Sequence, residues 1–535
     1  MQSGKHGAGM ADTKRSIAFF VSAVFLALAA VSVGAKTVNE GTEAELPGKV
    51  RITLQDIVLK VLEDNLDIRA IGMASKMAAT EILFEKGAFD PVLFGEAGYS
   101  NQDYPVSDVL TGMHTEKIQG KAGIRKKFLF GTEIEAGTEG SKLLTDAPVY
   151  FMRPEYRQKF YMNIVQPLLR GAGVDANAAR IRLAQAQAEQ EAQKARGKLI
   201  DVLYDAIRAY WDLYKYEEKL DAAMKGLRMA ERLYRDNLAR MSEGMAPESD
   251  VLQAFAEVHK RLADVIRARQ NVMNADKSLK RVISMPPNSV LWDLVFVTEG
   301  APSLDSVSLS ADAVMTSARQ FNPQIVASKA GVQGAEAEKK WAENYRKPKL
   351  DFQAGISVHG LSGDEKPGAA KQGYPVHEEF RGGYGHGYSR IFDYPEWTVG
   401  LKFEMPIPGN QGIAKYEKAS YGLVKARLEE RASVINAYAA AMDIVPRLMA
   451  LQAEAKARQA SIEYKQRQVN DEMYKLMNGL GTTYDTLKMQ AEYVEELYRY
   501  ADASAEYMTA LGELMKITGV IVLDTRDLGG FGNAG

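Results

Sequence analysis

The chain repeats itself. Asn65-Leu66-Asp67-Ile68 recurs as Asn322-Pro323-Gln324-Ile325. At the same offset, the stretch from Pro91 to Ser100 recurs as Pro348 to Ser357, sharing Pro, Leu, Ala, Gly and Ser in register. Pro167 and Gly173 reappear as Pro406 and Gly412. Gly244, Asp250, Leu252 and Leu279 reappear as Gly479, Asp485, Leu487 and Leu514. A repeat this long rules out a string of unrelated domains and requires one unit built from two similar halves. Each half reads as short helices, strands, a very long helix and a second long helix.

The 535 residues then divide as follows. Residues 1–35 read as a signal peptide: Lys14 and Arg15 precede an uncharged run from Ile17 to Val33, closed by small residues. Residues 36–52 are an N-terminal segment expected in the periplasm. Repeat 1 spans 53–285, with short helices 53–88, strands 92–165 and long helices 172–284. A connector of 286–309 follows. Repeat 2 spans 310–519, with short helices 310–345, strands 349–404 and long helices 411–518. Residues 520–535 are a tail. Lys+Arg 67 against Asp+Glu 69 leaves a net charge of −2, so no basic surface points to nucleic acid. There is no cysteine, which excludes disulfides, a thiol nucleophile and thiolate metal sites. Beyond the leader no other stretch reads as apolar enough for a membrane helix.

Thr53 and Asp56 form an expected capping box, with Leu54, Ile57, Val58, Val61, Leu62 and Leu66 on one helical face. Lys349–Val358 alternates strictly between apolar and polar residues, and so does Glu396–Glu404. Each is near the ~9–11 residues of a tilted membrane strand. In repeat 1 the matching strands are expected at about 92–101 and 157–165, with an additional hairpin over 119–138 turning at Lys127–Gly131, which the sequence leaves open as either two further barrel strands or a loop hairpin. Trp397, at a strand end, suits an interfacial girdle. Long polar loops at Gln102–Lys117 and Gly360–Tyr394 stand opposite short turns. The helix after Gly173 runs without proline to Met241, about 100 Å at ~1.5 Å per residue. In the last helix Leu487, Ala491, Val494, Tyr498, Ala501, Ala505, Met508, Gly512 and Met515 step by three and four, a coiled-coil seam. Pro446 predicts a kink in the equivalent of the first long helix.

Four membrane-length strands cannot close a barrel, and open strand edges are not tolerated in lipid, so other chains must complete it. Three copies of four strands give twelve. The chain resembles TolC-type outer-membrane efflux proteins over essentially its whole mature length. The resemblance rests on the duplication, the junction Gln166-Pro167-Leu168-Leu169-Arg170-Gly171, and the two helix turns Gly244–Leu252 and Gly481–Leu487. It implies a mixed α/β membrane protein. The architecture implied is a trimeric twelve-stranded outer-membrane barrel, continued by an antiparallel α-helical coiled-coil tunnel in the periplasm. It implies a homotrimer embedded in outer-membrane lipid, docked to a periplasmic adaptor and an inner-membrane transporter, and serving efflux or type I secretion.

In such proteins the tunnel narrows at its periplasmic tip, where acidic residues bias passage. Asp485 matches the first acidic position. Lys488 stands where some relatives carry a second acid, and Asp250 is the equivalent of Asp485 in repeat 1. Both aspartates also suit helix N-termini, worth ~0.3–1 kcal/mol; that reading stands level with the entrance role for Asp485 and ahead of it for Asp250. Gly244, Gly479 and Gly481 mark the turns expected to meet the adaptor. Gln166, Pro167, Gly171, Gly173, Pro406 and Gly412 mark the strand-to-helix junctions.

Sharper chemistries find little support. His359, His377 and His386 read as one loop without ligand spacing. Met241, Met245, Met473 and Met477 cluster near the tip, where flexible core filling is the default use of methionine. No acid–base pair, nucleophile arrangement or phosphate loop stands out, so neither enzyme activity nor a cofactor is expected. The remaining alternative is a periplasmic coiled-coil adaptor, which would share the helices but not the strands.

Overall fold

The computed structural model describes residues 48–108, 110–304, 309–367 and 375–520. The expected signal peptide and most of the tail lie outside these. A short strand, β1 (Lys49–Ile52), leads into helices α1 (Leu54–Asp64) and α2 (Leu66–Gly87). The Thr53–Asp56 capping box forms in both directions. Asn65 explains why the opening motif is repeated. Its side chain accepts from Ile68 N at 3.1 Å, capping α2, and donates to Val282 O at 2.8 Å, the end of a long helix. In the second copy, Asn322 caps α6 (Pro323–Tyr345), following α5 (Ala311–Phe321), and donates to Ile517 O at 2.9 Å. One amide therefore serves two helix ends in each repeat, satisfying groups that would otherwise lack partners. Leu66 departs from expectation. It starts α2 rather than ending α1, and it is 64% exposed.

The long helices are α3 (Val174–Ser242, 69 residues), α4 (Glu248–Val282), α7 (Asn410–Met477, 68 residues) and α8 (Thr483–Thr518). α7 runs as a single helix through Pro446. One continuous apolar core joins them at the middle of α3, where Leu203, Ile207 and Tyr210 meet Leu279 of α4, Ile444 of α7 and Leu514 of α8, with Val61 of α1. Burial pushes the Tyr210 phenol up to about 12, so it stays protonated and donates to Glu299 O at 2.8 Å. The expected seam of α8 is buried at Val494, Ala501, Ala505, Met508, Gly512 and Met515. A Cβ at Gly512 would stand 3.2 Å from Ile207 Cγ2, so α3 and α8 approach as closely as glycine allows. α7 also carries one window long and apolar enough to cross a membrane, against the expectation that none follows the leader. Within that helix Ala441, Ile444, Val445 and Leu448 are buried in the core shared with α3 and α8, so this face of α7 packs against protein.

The strand count also departs from expectation. Among the described residues the sheet has six strands, where the two short alternating strands of each repeat alone would give four: β2 (Val92–Asp103), β3 (His114–Lys127), β4 (Glu133–Thr145), β5 (Met152–Pro167), β7 (Lys349–Glu365) and β8 (Pro395–Glu404). Their order is β2-β3-β4-β5-β7-β8, antiparallel throughout. The expected hairpin is a full pair of strands set in the middle of the sheet. Sequence periodicity alone cannot separate a loop hairpin from a sheet member, because partner strands decide it. A separate two-stranded sheet pairs β1 with β6 (Val295–Thr298).

Beside β6 lies a buried ion pair. Lys280 is fully buried, with Nζ 2.7 Å from Asp276 Oδ2, and Asp276 Oδ1 accepts from Phe296 N at 3.0 Å. Lys280→Ala leaves that carboxylate buried without its cation, so a loss of about 3–5 kcal/mol is expected. Thermal unfolding followed by helical circular dichroism checks it, and Lys280→Ala melting like the parent would show the pair to be dispensable.

Candidate functional site

The sheet presents two chemically opposite faces. Paired residues of antiparallel strands share a face, so the registers sort every side chain. One face carries Leu93 and Tyr99 of β2, opposite Ile124 and Ile118 of β3. It continues through Ala136 and Ile134 of β4 and Met162 and Ile164 of β5. It ends on Ile356 of β7 opposite Trp397 of β8, then Val399, Leu401 and Phe403. No charged residue interrupts this band, and its large side chains are open: Leu93 is 80% exposed, Trp397 77% and Leu401 69%. A row of bare apolar side chains is untenable against water and is what lipid requires. Charges resume at its ends, with Lys126 opposite Ile134 and Lys142 opposite Ile118.

The other face is polar. Glu135 of β4 sits at its centre, accepting from Lys121 Nζ at 3.2 Å and from the Tyr161 hydroxyl at 3.1 Å, with Arg125 Nη2 at 2.6 Å. Lys121 Nζ also lies 5.3 Å from the Phe94 ring centroid and 5.0 Å from that of Tyr161. Gly123 and Gly137 pair directly beneath those rings. A Cβ on Gly123 would meet Phe94 Cζ at 2.8 Å, and one on Gly137 would meet the Tyr161 hydroxyl at 2.7 Å. The glycines let the aromatic rings lie flat along the wall rather than project from it.

Below the sheet, the junctions tie strands to helices. Gly171 (φ 84°) and Gly173 (φ 89°) adopt backbone that side-chain-bearing residues rarely take. Gly171 N donates to Asn344 Oδ1 at 2.7 Å, and Arg170 Nε to Lys347 O at 2.9 Å, stitching the first junction to the end of α6, where repeat 2 enters β7. Gln166 hydrogen bonds to Thr132, and Gly173 N donates to Phe130 O at 3.1 Å, so the β3–β4 turn is built into the same junction. Thr132 and Gly131 carry no local signal of this role, since their partners are distant in sequence. Pro167 closes β5, and Pro406 precedes α7. The Gly173/Gly412 correspondence is sequential rather than structural. Gly173 caps α3, whereas the cap of α7 is Gly409 (φ 80°) and Gly412 lies inside the helix, against Arg346 Cα at 3.1 Å from a built Cβ.

At the far end, Gly244 (φ 75°) and Gly479 (φ 71°) end α3 and α7 in left-handed backbone. Gly481 has no such angle; a Cβ there would meet Leu476 N at 3.2 Å. Asp485 is exposed, and its backbone N donates to Thr482 Oγ1 at 3.1 Å while its carboxylate accepts from Thr482 Oγ1 at 2.6 Å, a helix-capping arrangement. Lys488 is exposed one turn on. Asp250 does something different. Its carboxylate accepts from Thr483 Oγ1 at 2.8 Å, and the buried Asn237 amide donates to Asp250 O at 3.2 Å and Thr483 Oγ1 at 3.1 Å. This knot of three residues joins the two helix turns, and neither Asn237 nor Thr483 stands out in the sequence.

The histidines separate. His359 lies in β7, with Nε2 2.7 Å from Glu396 Oε2, while His386 sits in the loop against Glu379 O at 3.2 Å. Among the described residues no cluster of three or more His, Cys, Asp or Glu could hold a metal ion. Met473 Sδ takes a long contact from Gln490 Nε2 at 3.8 Å, as helix packing would give.

The outer membrane efflux protein family model matches residues 151–284 and 314–520. The curated outer membrane efflux protein BepC of Brucella suis is 22% identical over 350 residues, 65% of this chain and 70% of that one. The structure resembles the CmeC outer membrane channel of Campylobacter jejuni, with a TM-score of 0.60 at 14% identity over 94% and 98% of the two chains. It also resembles the MtrE outer membrane channel of Neisseria gonorrhoeae, with a TM-score of 0.59 at 15% identity over 88% and 90%. The family match sets the adaptor alternative aside.

Thr483→Val removes the shared hydroxyl and leaves the Asn237 amide and the Asp250 carboxylate short of a partner. A cost of about 1–3 kcal/mol is expected, confined to the tip. Hydrogen exchange across residues 237–250 and 478–487 should quicken while the core of α3 is unchanged; equal protection would show the knot to be idle.

Proposed function

The chain belongs to the outer membrane efflux protein family, and on that premise we propose that it is the exit duct of a tripartite export system. It would conduct cargo passively from an inner-membrane transporter and its adaptor to the outside. The observation that carries this reading is continuity. A sheet with an uncharged lipid face and a charged inner face runs through tight junctions directly into rods of about 100 Å.

We propose that three copies close the barrel. β2 and β8 are the sheet edges, and unpaired strand edges within lipid are not tolerated. The helices that continue these edges are unpartnered on the same sides. α2, which leads into β2, has no buried residue and exposes Met73, Met77 and Phe84. α7, which follows β8, exposes Tyr421, Val424, Leu428, Ile435, Tyr438 and Met442 at heptad spacing. A head-to-tail ring joins one copy's β2–α2 edge to the next copy's β8–α7 edge. It pairs the strands and covers both stripes at once. The domain division into two repeats of strand wall and tunnel, and an adaptor contact at Gly244, Gly479 and Gly481, belong to the same reading.

At the entrance, the ring would set three Asp485 beside three Lys488, a weaker cation trap than paired carboxylate rings. Asp485→Asn should shift cation selectivity measurably in planar bilayers. Unchanged reversal potentials would reduce Asp485 to a helix cap. For the duct itself, gradient fractionation of envelopes should recover the chain with outer membranes as a heat-dissociable trimer, and its deletion should raise susceptibility to exported compounds. Recovery as a soluble or inner-membrane monomer would overturn the reading.

A further inference from the structure

We propose that the β3–β4 hairpin enlarges the closed barrel to eighteen strands, giving a wide, water-filled outer-membrane pore that passes large hydrophilic solutes. The proposal rests on the three-copy reading above and goes beyond it in the strand number.

The hairpin is wall, not plug or flap. β3 pairs with β2 on one side and β4 with β5 on the other, along the length of each strand. Its own residues obey both solvents. Ile118, Ala122 and Ile124 of β3 fall on the apolar band, and Lys121 and Arg125 on the polar face. In β4, Ile134 and Ala136 fall on the band, while Glu135 and Glu139 fall inward. A loop folded into the lumen or lying over the mouth would have no need of an uncharged face. The hairpin's turn is locked in place as well. Gly131 has φ 101°, and a Cβ there would stand 2.2 Å from Gly171 O, so the turn sits flush on the strand-to-helix junction.

Repeat 2 shows what the wall is without this insertion. β7 and β8 are joined directly, two strands for two junctions. Deleting the hairpin from repeat 1 would leave β2 and β5 in the same relation, and three copies would close at twelve strands. With it, the described residues of each chain give six strands for the same four helix junctions: α2 to β2, β5 to α3, α6 to β7 and β8 to α7. The barrel therefore widens while the helical tube keeps its complement of rods. Barrel diameter grows about linearly with strand number, so eighteen strands give roughly one and a half times the width of twelve, in the range where porins hold open water. The glycine floor under Phe94 and Tyr161 keeps that width clear. Size selection then falls on the helical entrance and not on the membrane pore.

The absence of cysteine makes the test clean, because each introduced thiol is unique. In the full-length chain in outer membranes, Lys121→Cys and Arg125→Cys should react with a membrane-impermeant maleimide, while Ala122→Cys and Ile124→Cys should be spared. Equal reaction at all four sites would overturn the proposal. Electron cryo-microscopy of the assembly in lipid nanodiscs should count eighteen strands. A ring of three with twelve strands and a displaced hairpin would overturn this inference but leave the duct reading intact, whereas no ring at all would overturn the duct reading itself. Deleting His114–Thr145 should lower the size of polymer admitted from the outer side. An unchanged cut-off in an assembled variant would count against the wider pore.

Discussion

Everything in this molecule follows from the demand that backbone amides and carbonyls in lipid be paired. Six strands satisfy one another along the sheet, and two edges remain open. That single deficit forces an assembly. In the ring proposed above the contact is head to tail, because only β2 on β8 closes a cycle of identical copies. The helices inherit the arrangement. α2 and α7 carry their bare apolar stripes beneath the same two edges, so in the proposed ring one neighbour would meet the polar and apolar needs together.

Between the two solvents the chain changes its period from two to about three and a half, and it does so over a few residues. The junctions manage the change with glycine and side-chain amides. Gly171 and Gly173 turn the backbone, Asn344 and Asn177 hold its carbonyls and amides, and Gln166 reaches the β3–β4 turn. Beside the core at the middle of α3, Asn65 and Asn322 each cap one helix and anchor the end of another. Side-chain amides suit both places because they donate and accept at once without bringing a charge.

Much of this is legible in the order of the residues. The duplication, the alternation of Lys349–Val358 and the heptads of α8 are local patterns, and local patterns survive in a single sequence. What misleads is also local. Leu66 fits the apolar face of α1 by spacing, but Asn65 ends that helix first. His359 reads as part of one loop with His386, but β7 runs on to Glu365 and carries it into the wall. Gly412 matches Gly173 by offset, yet Gly409 caps the helix. The Asn237–Asp250–Thr483 knot leaves no sequence signal because its members come from three elements.

Residue order is enough to specify the two-fold repeat, the long rods, the strands of repeat 2 and the kinship to outer-membrane efflux proteins. Each rests on periodicity or on residues that act on their near neighbours. The strand count and the roles of Asp250, Thr132 and Asn237 emerge only once the chain is folded. A strand becomes wall or loop according to what pairs beside it, and a hydrogen bond spanning 246 residues, such as that from Asn237 to Thr483, leaves no trace in the spacing of either partner.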